Sequence, residues 1–139
     1  MTIDEKQDEL IETFDLFDDP LDKTQYIIDL GKKLAPIDSQ YITDKNLIKG
    51  CQSKVWLHEE MKDGKIHFEA DAEPTAQISK GLVSMLIHVL SGHTPTEIAN
   101  ANLYFIEKIG MSSLVTSRRA GGLAAMITRM KNFANTHIS

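Results

Sequence analysis

Residues 46–56 read Asn-Leu-Ile-Lys-Gly-Cys-Gln-Ser-Lys-Val-Trp and hold the one cysteine of the chain, Cys51. A structural cysteine is usually a small hydrophobe inside a strand or helix. Cys51 falls instead among loop-forming residues, directly ahead of the strand formers Val55, Trp56 and Leu57. Gly50 removes the side-chain restriction at the turn, which lets the thiol be presented outward. Lys49 and Lys54 flank it, and a nearby cation favours thiolate over thiol, the better nucleophile and leaving group. Gln52 and Ser53 offer neutral donors for an anionic sulfur. The residues alone leave two readings, a reactive loop thiol and an inert cysteine.

Other chemistry is sparse. The histidines at 58, 67, 88, 93 and 137 form no HxxxH or HExxH pair, and no GxSxG, Walker loop or GxGxxG occurs. His58 lies on the strand after the cysteine and could orient or polarise it. His88 sits in an apolar helix and reads as a hydrogen-bonded core residue. His93, five positions on and past an expected helix end, is a poor partner for a shared metal. Gly121-Gly122 suits either close helix packing or approach to an anion. Met85, Met126 and Met130 fall on helical stripes and read as core.

The elements that must position Cys51 are mostly helical. Thr2 and Glu5 have the capping-box form, followed by Ile3, Leu10, Phe14 and Phe17 at helical spacing. Asp19-Pro20 opens a second helix with the stripe Tyr26, Ile27, Leu30 and Leu34. Residues 37–50 form a connection without clear periodicity. Val55–Leu57 and the alternating Ile66, Phe68 and Ala70 are strands joined at Asp63-Gly64, a pair suited to a tight hairpin turn. A hairpin alone is marginal, so a third strand is expected beside it, or a helix across its apolar face. Ile78–Leu90, apolar on nearly every side, supplies that helix. Thr94-Pro95-Thr96-Glu97 opens another, a short apolar segment runs from Leu103 to Ile109, and a last helix begins near Thr116 with Leu123, Met126, Ile127 and Met130 on one side. The fold class is α+β: a small antiparallel sheet, packed against and flanked by helices, in one domain over residues 1–139.

Composition bounds the function. Fifteen Lys+Arg against twenty Asp+Glu give a net charge of −5 over 139 residues, a poor balance for sequence-independent nucleic-acid binding. No apolar run approaches the roughly 20 residues that cross a bilayer, and the first ten residues lack the form of a signal peptide. A lone cysteine allows no internal disulfide, so a reducing cytoplasm is expected. Charge is uneven: nine acids and one base lie between Asp4 and Asp22, and no acid follows Glu107. Either the two ends pair within the fold, or one of them faces a partner.

Gly50-Cys51-Gln52-Ser53-Lys54-Val55-Trp56 resembles the GCQSxVW active-site loop of the SufE-type sulfur-acceptor proteins. The resemblance extends over roughly residues 10 to 134, through Tyr26–Gly31 with Leu34, Ile78-Ser79-Lys80-Gly81-Leu82, Thr94-Pro95 with Ile98, and Arg119–Leu123 with Met126. The chain departs from the family pattern at Thr75 and at Ser117-Arg118. The resemblance implies a sulfur carrier in iron–sulfur cluster assembly. Cys51 would accept persulfide sulfur from a cysteine desulfurase (SufS-like or CsdA-like), stimulate that enzyme and pass the sulfur to a SufBCD-like scaffold complex. Pyridoxal phosphate would belong to the desulfurase, leaving this chain without a cofactor or metal. Arg119 matches the family's arginine ahead of Gly-Leu; it either helps to dock the partner, or is solvated at the surface or ion-paired with the acidic amino-terminal helices.

The chemistry agrees with the residues. Sulfane transfer is thiol exchange, which needs an attacking thiolate; a second, resolving cysteine would expel the persulfide as sulfide, and the chain has none. Leu47, Ile48, Val55 and Trp56 could shelter the carried sulfur. Two other classes compete. One is a redox or regulatory thiol, oxidised and capped at Cys51; the other is an adaptor that alters the desulfurase by contact alone.

Overall fold

The computed structural model describes residues 1–49, 54–110 and 119–138. Helix α1 (Ile3–Asp15) starts on the expected capping box: Thr2 Oγ1 accepts from Glu5 N, and a Glu5 carboxylate oxygen accepts from Thr2 N, each at 3.0 Å. These bonds hold the Glu5 carboxyl below its ordinary range. Ile3, Gln7, Leu10 and Phe14 face inward. Asp19 caps α2 (Pro20–Lys32), with Pro20 in its first turn. Phe17 lies beyond the end of α1 and packs its ring on Tyr26 of α2, at 5.4 Å between centroids.

Two short 3-10 turns, Ser39–Tyr41 and Asp44–Asn46, lead towards the hairpin of β1 (Val55–Lys62) and β2 (Lys65–Ala72). The strands are antiparallel with Val55 opposite Ala72 and Lys62 opposite Lys65. The tight turn between them holds Asp63 at φ 55° and Gly64 at φ 77°, the left-handed pair that matches the twist of the strands. Val55, Leu57, Ile66, Phe68 and Ala70 form its buried face.

The expected third strand is reduced, among the described residues, to isolated bridges at the two edges, Leu47 with Trp56 and Ile66 with His93. Helix α3 (Gln77–Leu90) covers the buried face instead, through Leu82, Val83, Met85, Leu86, Val89 and Leu90, so burial that a wider sheet would supply comes from a helix. α3 and α2 meet backbone to backbone. A Cβ on Gly81 would stand 2.1 Å from the Ile27 carbonyl oxygen, and one on Gly31 would stand 2.8 Å from Gly81 N. Both glycines lie in segments that carry the family resemblance, and the close helix contact explains them.

Helix α4 (Pro95–Ala99) begins with the capping box of Thr94 and Glu97, and α5 (Phe105–Lys108) ends before Gly110 at φ 75°. Helix α6 runs Arg119–Thr136. Thr116, where the last helix was expected to begin, lies outside the described residues. Leu123, Met126, Met130 and Ala134 of α6 enter the core, with Ile127 packed at its edge. Gln7 ties α1 to the rest: fully buried, it donates to the Asn102 carbonyl at 3.0 Å and accepts from Phe105 N at 3.2 Å.

Among the described residues the ion pairs are Lys80–Asp71 and Arg129–Glu59, and neither joins the acidic first helices to the basic last one. No described helix is long and apolar enough to cross a membrane.

Candidate functional site

Cys51 lies in the connection between the Asp44–Asn46 turn and β1. Gly50, Cys51, Gln52 and Ser53 are outside the described residues; the structure defines the two ends that hold them. Ile48 N donates to the Val55 carbonyl at 2.8 Å, and Leu47 bridges Trp56. These contacts pin together the two chain ends that flank residues 49–54 and form a neck. Ile48 and Val55 are buried at this neck, 5% and 0% exposed, which anchors both flanking ends to the core. On the far side Glu73 N donates to the Lys54 carbonyl at 3.0 Å. Lys49 and Lys54, the two flanking cations, are exposed. Of the four residues expected to shelter a carried sulfur, Ile48 and Val55 belong to the core, whereas Leu47 and Trp56 are half-buried at the loop mouth.

The neck is braced by a residue that the sequence did not single out. Arg129, in the middle of α6, binds Glu59 of β1 through Nε and Nη2, the latter at 3.2 Å. Its Nη2 also donates to Asn46 Oδ1 at 2.9 Å, and Nη1 donates to the Lys45 carbonyl at 3.0 Å. Asn46 is buried and passes the linkage on, donating to the Tyr41 carbonyl at 2.9 Å. A planar guanidinium with five donors suits this fork, and lysine could not reproduce it. The sequence signal was slight: one arginine on an otherwise apolar helical stripe.

Beside the neck is an open cleft of about 580 Å³ between Leu47, Ile48 and Lys49 on one wall and Ala124, Ala125, Thr128 and Arg129 of α6 on the other. The alanines leave room where larger side chains would fill it. Arg119 stands at the start of α6, and its side chain lies outside the described residues.

One histidine, His88, differs from expectation. His88 is exposed, because on α3 it falls on the side opposite the stripe of Leu82, Leu86 and Val89. Partial burial, with the Lys6 charge nearby, lowers its pKa below the usual histidine value. The buried one is His93, whose ring nitrogens contact the Leu90 carbonyl at 3.3 Å and the Met1 carbonyl at 3.1 Å. A histidine so engaged is structural. His58 stacks on Tyr41 with centroids 3.6 Å apart. The three methionines expected in the core are there.

The fold is α+β, and in chain order the lone cysteine falls between two pinned ends, one after a 3-10 turn and one entering the hairpin. The chain belongs to the SufE family: that family's Fe–S metabolism associated domain matches residues 8–134. It is similar to an uncharacterized SufE-like protein of Synechocystis sp., 34% identical over 125 residues and covering 90% of this chain and 77% of the relative. A SufE-like protein of Rhizobium meliloti is 35% identical, covering 91% of this chain and 93% of its own. The chloroplastic/mitochondrial SufE-like protein 1 of Arabidopsis thaliana is 30% identical over 93% of this chain, which spans 34% of that longer protein. In fold the chain is similar to the solution structure of a hypothetical protein from Thermus thermophilus, with a TM-score of 0.76, 19% identity and 94% of each chain covered.

Proposed function

We propose that this chain carries sulfur for iron–sulfur cluster assembly on Cys51. The observation that carries the reading is a single cysteine, in a GCQSKVW loop, within a chain of the SufE family. The Cys51 thiolate attacks the outer sulfur of a persulfide on a cysteine desulfurase. One S–S bond forms as the other breaks, the desulfurase cysteine leaves as thiolate, and Cys51 holds the sulfur as a persulfide. No net oxidant is needed, because the sulfane sulfur only changes owner. Lys49 and Lys54, both exposed beside the loop, favour the thiolate. Gly50 lets the loop turn, and Gln52 and Ser53 offer donors to the sulfur. The sulfur then passes to a scaffold complex. Pyridoxal phosphate acts within the desulfurase, and the sulfur transfer itself, in the cytoplasm, draws on no cofactor of this chain.

Arg119 helps to dock the desulfurase from the acid-free end of the chain. Arg119→Ala should weaken binding in a titration at moderate salt while the circular dichroism spectrum stays the same; equal affinity rejects that role.

Cys51→Ser tests the transfer itself. A hydroxyl is close to a thiol in size, and at an exposed loop position, as the sequence predicts for Cys51, such a change shifts stability by about 0.5 kcal/mol or less. Docking survives, since contact is spread over a surface. The alcohol ionises too weakly at neutral pH to attack a persulfide. The variant should therefore bind the desulfurase yet leave its turnover of L-cysteine near the unassisted rate. Full stimulation by the serine variant would show an adaptor that acts by contact alone.

A further inference from the structure

The hairpin has a second face, turned away from α3. Alternation along β1 puts His58 and Glu60 on it, and the strand register sets Glu69 of β2 directly opposite His58. One ligand-capable atom from each of the three lies within 4.8 Å of the others. The carboxylates are exposed and the imidazole is half-buried. His58 does not use either neighbour: among the described residues it forms no ion pair with them, and its Nε2 is buried without any hydrogen-bond partner. The ring is held in place by Tyr41, stacked at 3.6 Å and 15°. A buried imidazole nitrogen left unpaired is costly, so a persistent one calls for a ligand.

We propose that His58, Glu60 and Glu69 bind a divalent transition-metal ion of the zinc class. One neutral imidazole nitrogen and two carboxylates form a mixed N/O set suited to borderline divalent ions, and too rich in nitrogen for calcium's all-oxygen preference. Zinc bonds of about 2.0–2.2 Å place neighbouring ligand atoms roughly 3.3 Å apart in a tetrahedron. The three ligand atoms already lie within 4.8 Å of one another, and the two exposed glutamates are the side chains free to adjust around the ion. The fixed imidazole is the preorganised ligand, the glutamates complete three positions, and the fourth stays open to water. The site lies on the hairpin face opposite the core and is independent of the sulfur-carrier reading.

The test is a calorimetric titration of the full chain with Zn²⁺ at neutral pH, with Cys51 carbamidomethylated so that its thiolate cannot ligate. We expect one ion per chain. Loss of a ligand should weaken binding at least tenfold in both His58→Ala and Glu69→Gln, since even outer-shell changes cost about 10–100-fold. His67→Ala, opposite Glu60 on the same face but outside the cluster, should leave affinity within about twofold. Should His58→Ala fold poorly, imidazole NMR of the unsubstituted chain reads the same contact: Zn²⁺ must shift the ring signals of His58 and spare those of His67. Absence of stoichiometric binding, binding unchanged by His58→Ala, or a shift confined to other histidines would overturn the assignment.

Discussion

The Arg129 guanidinium grips both carboxylate oxygens of Glu59 and, from the same plane, Asn46 Oδ1 and the Lys45 carbonyl, so α6 and β1 share one clamp on the turn that precedes Cys51. The Glu59 side chain is 9% exposed and that of Arg129 24%, between a surface pair worth about 0–1 kcal/mol and a buried one that costs about 3–5 kcal/mol to break. Arg129→Ala should therefore cost about 2 kcal/mol in a denaturant melt, between those two limits. Glu59→Gln keeps an acceptor and should cost less. Hydrogen exchange at Ile48 N, bonded to Val55 across the neck, should quicken in Arg129→Ala. Unaltered exchange there would mean that the clamp does not brace the loop.

Gly81 offers a sharper stability test. A methyl group at this position would meet the Ile27 carbonyl oxygen at 2.1 Å and its carbon at 2.7 Å. Both are backbone atoms of α2, which cannot step aside as a side-chain tip can. Gly81→Ala gains helix propensity but should lose about 3 kcal/mol to overpacking, the upper end of what such insertions cost. Thermal melts of Gly81→Ala and of Gly31→Ala, whose contact is less close at 2.8 Å, should rank in that order.

The tyrosine at 104 predicts an alkaline response. Its hydroxyl donates to Asp8 Oδ1 at 2.8 Å and to the Asp4 carbonyl at 3.2 Å, and its pKa is pushed up to about 12, mainly by the Asp8 hydrogen bond. A pKa raised on folding means that the neutral phenol is favoured in the native state. Its contribution is complete below the ordinary tyrosine value near 10 and is lost as pH rises towards 12. Ultraviolet titration should show one phenol ionising late. Asp8→Asn should bring it back towards the ordinary value and flatten the alkaline loss of stability; an unshifted titration would contradict the assignment to Asp8.

Local signals were legible because their physics is local. The capping boxes at Thr2 and Thr94, the Asp63-Gly64 turn and the inward alternation of β2 each depend on residues within a few positions of one another. The apolar run of α3 announced burial, yet not which positions faced outward, and His88 fell on the exposed side while His93 was buried beyond the helix end. The third strand was inferred from what a hairpin needs; α3 meets that need, leaving edge bridges at Leu47 and His93. Arg129 could not be found from sequence, since its partners lie 70 and 83 positions away. Opposite charge at the two ends of the chain suggested an internal pairing that the described ion pairs do not contain. The cysteine loop was legible as a motif, and its chemistry as a thiolate with flanking lysines, without the neck that closes it.

Cys51 as a persulfide carrier is the central claim, and intact-protein mass spectrometry tests it most directly. The chain is incubated with a cysteine desulfurase and L-cysteine, and with each alone, then measured before and after a reductant. The account predicts the addition of one sulfur atom at Cys51, removed by reductant, only when both are present. Sulfur added without the desulfurase, or oxygen added in its place, would contradict the account and mark Cys51 as a redox-responsive thiol.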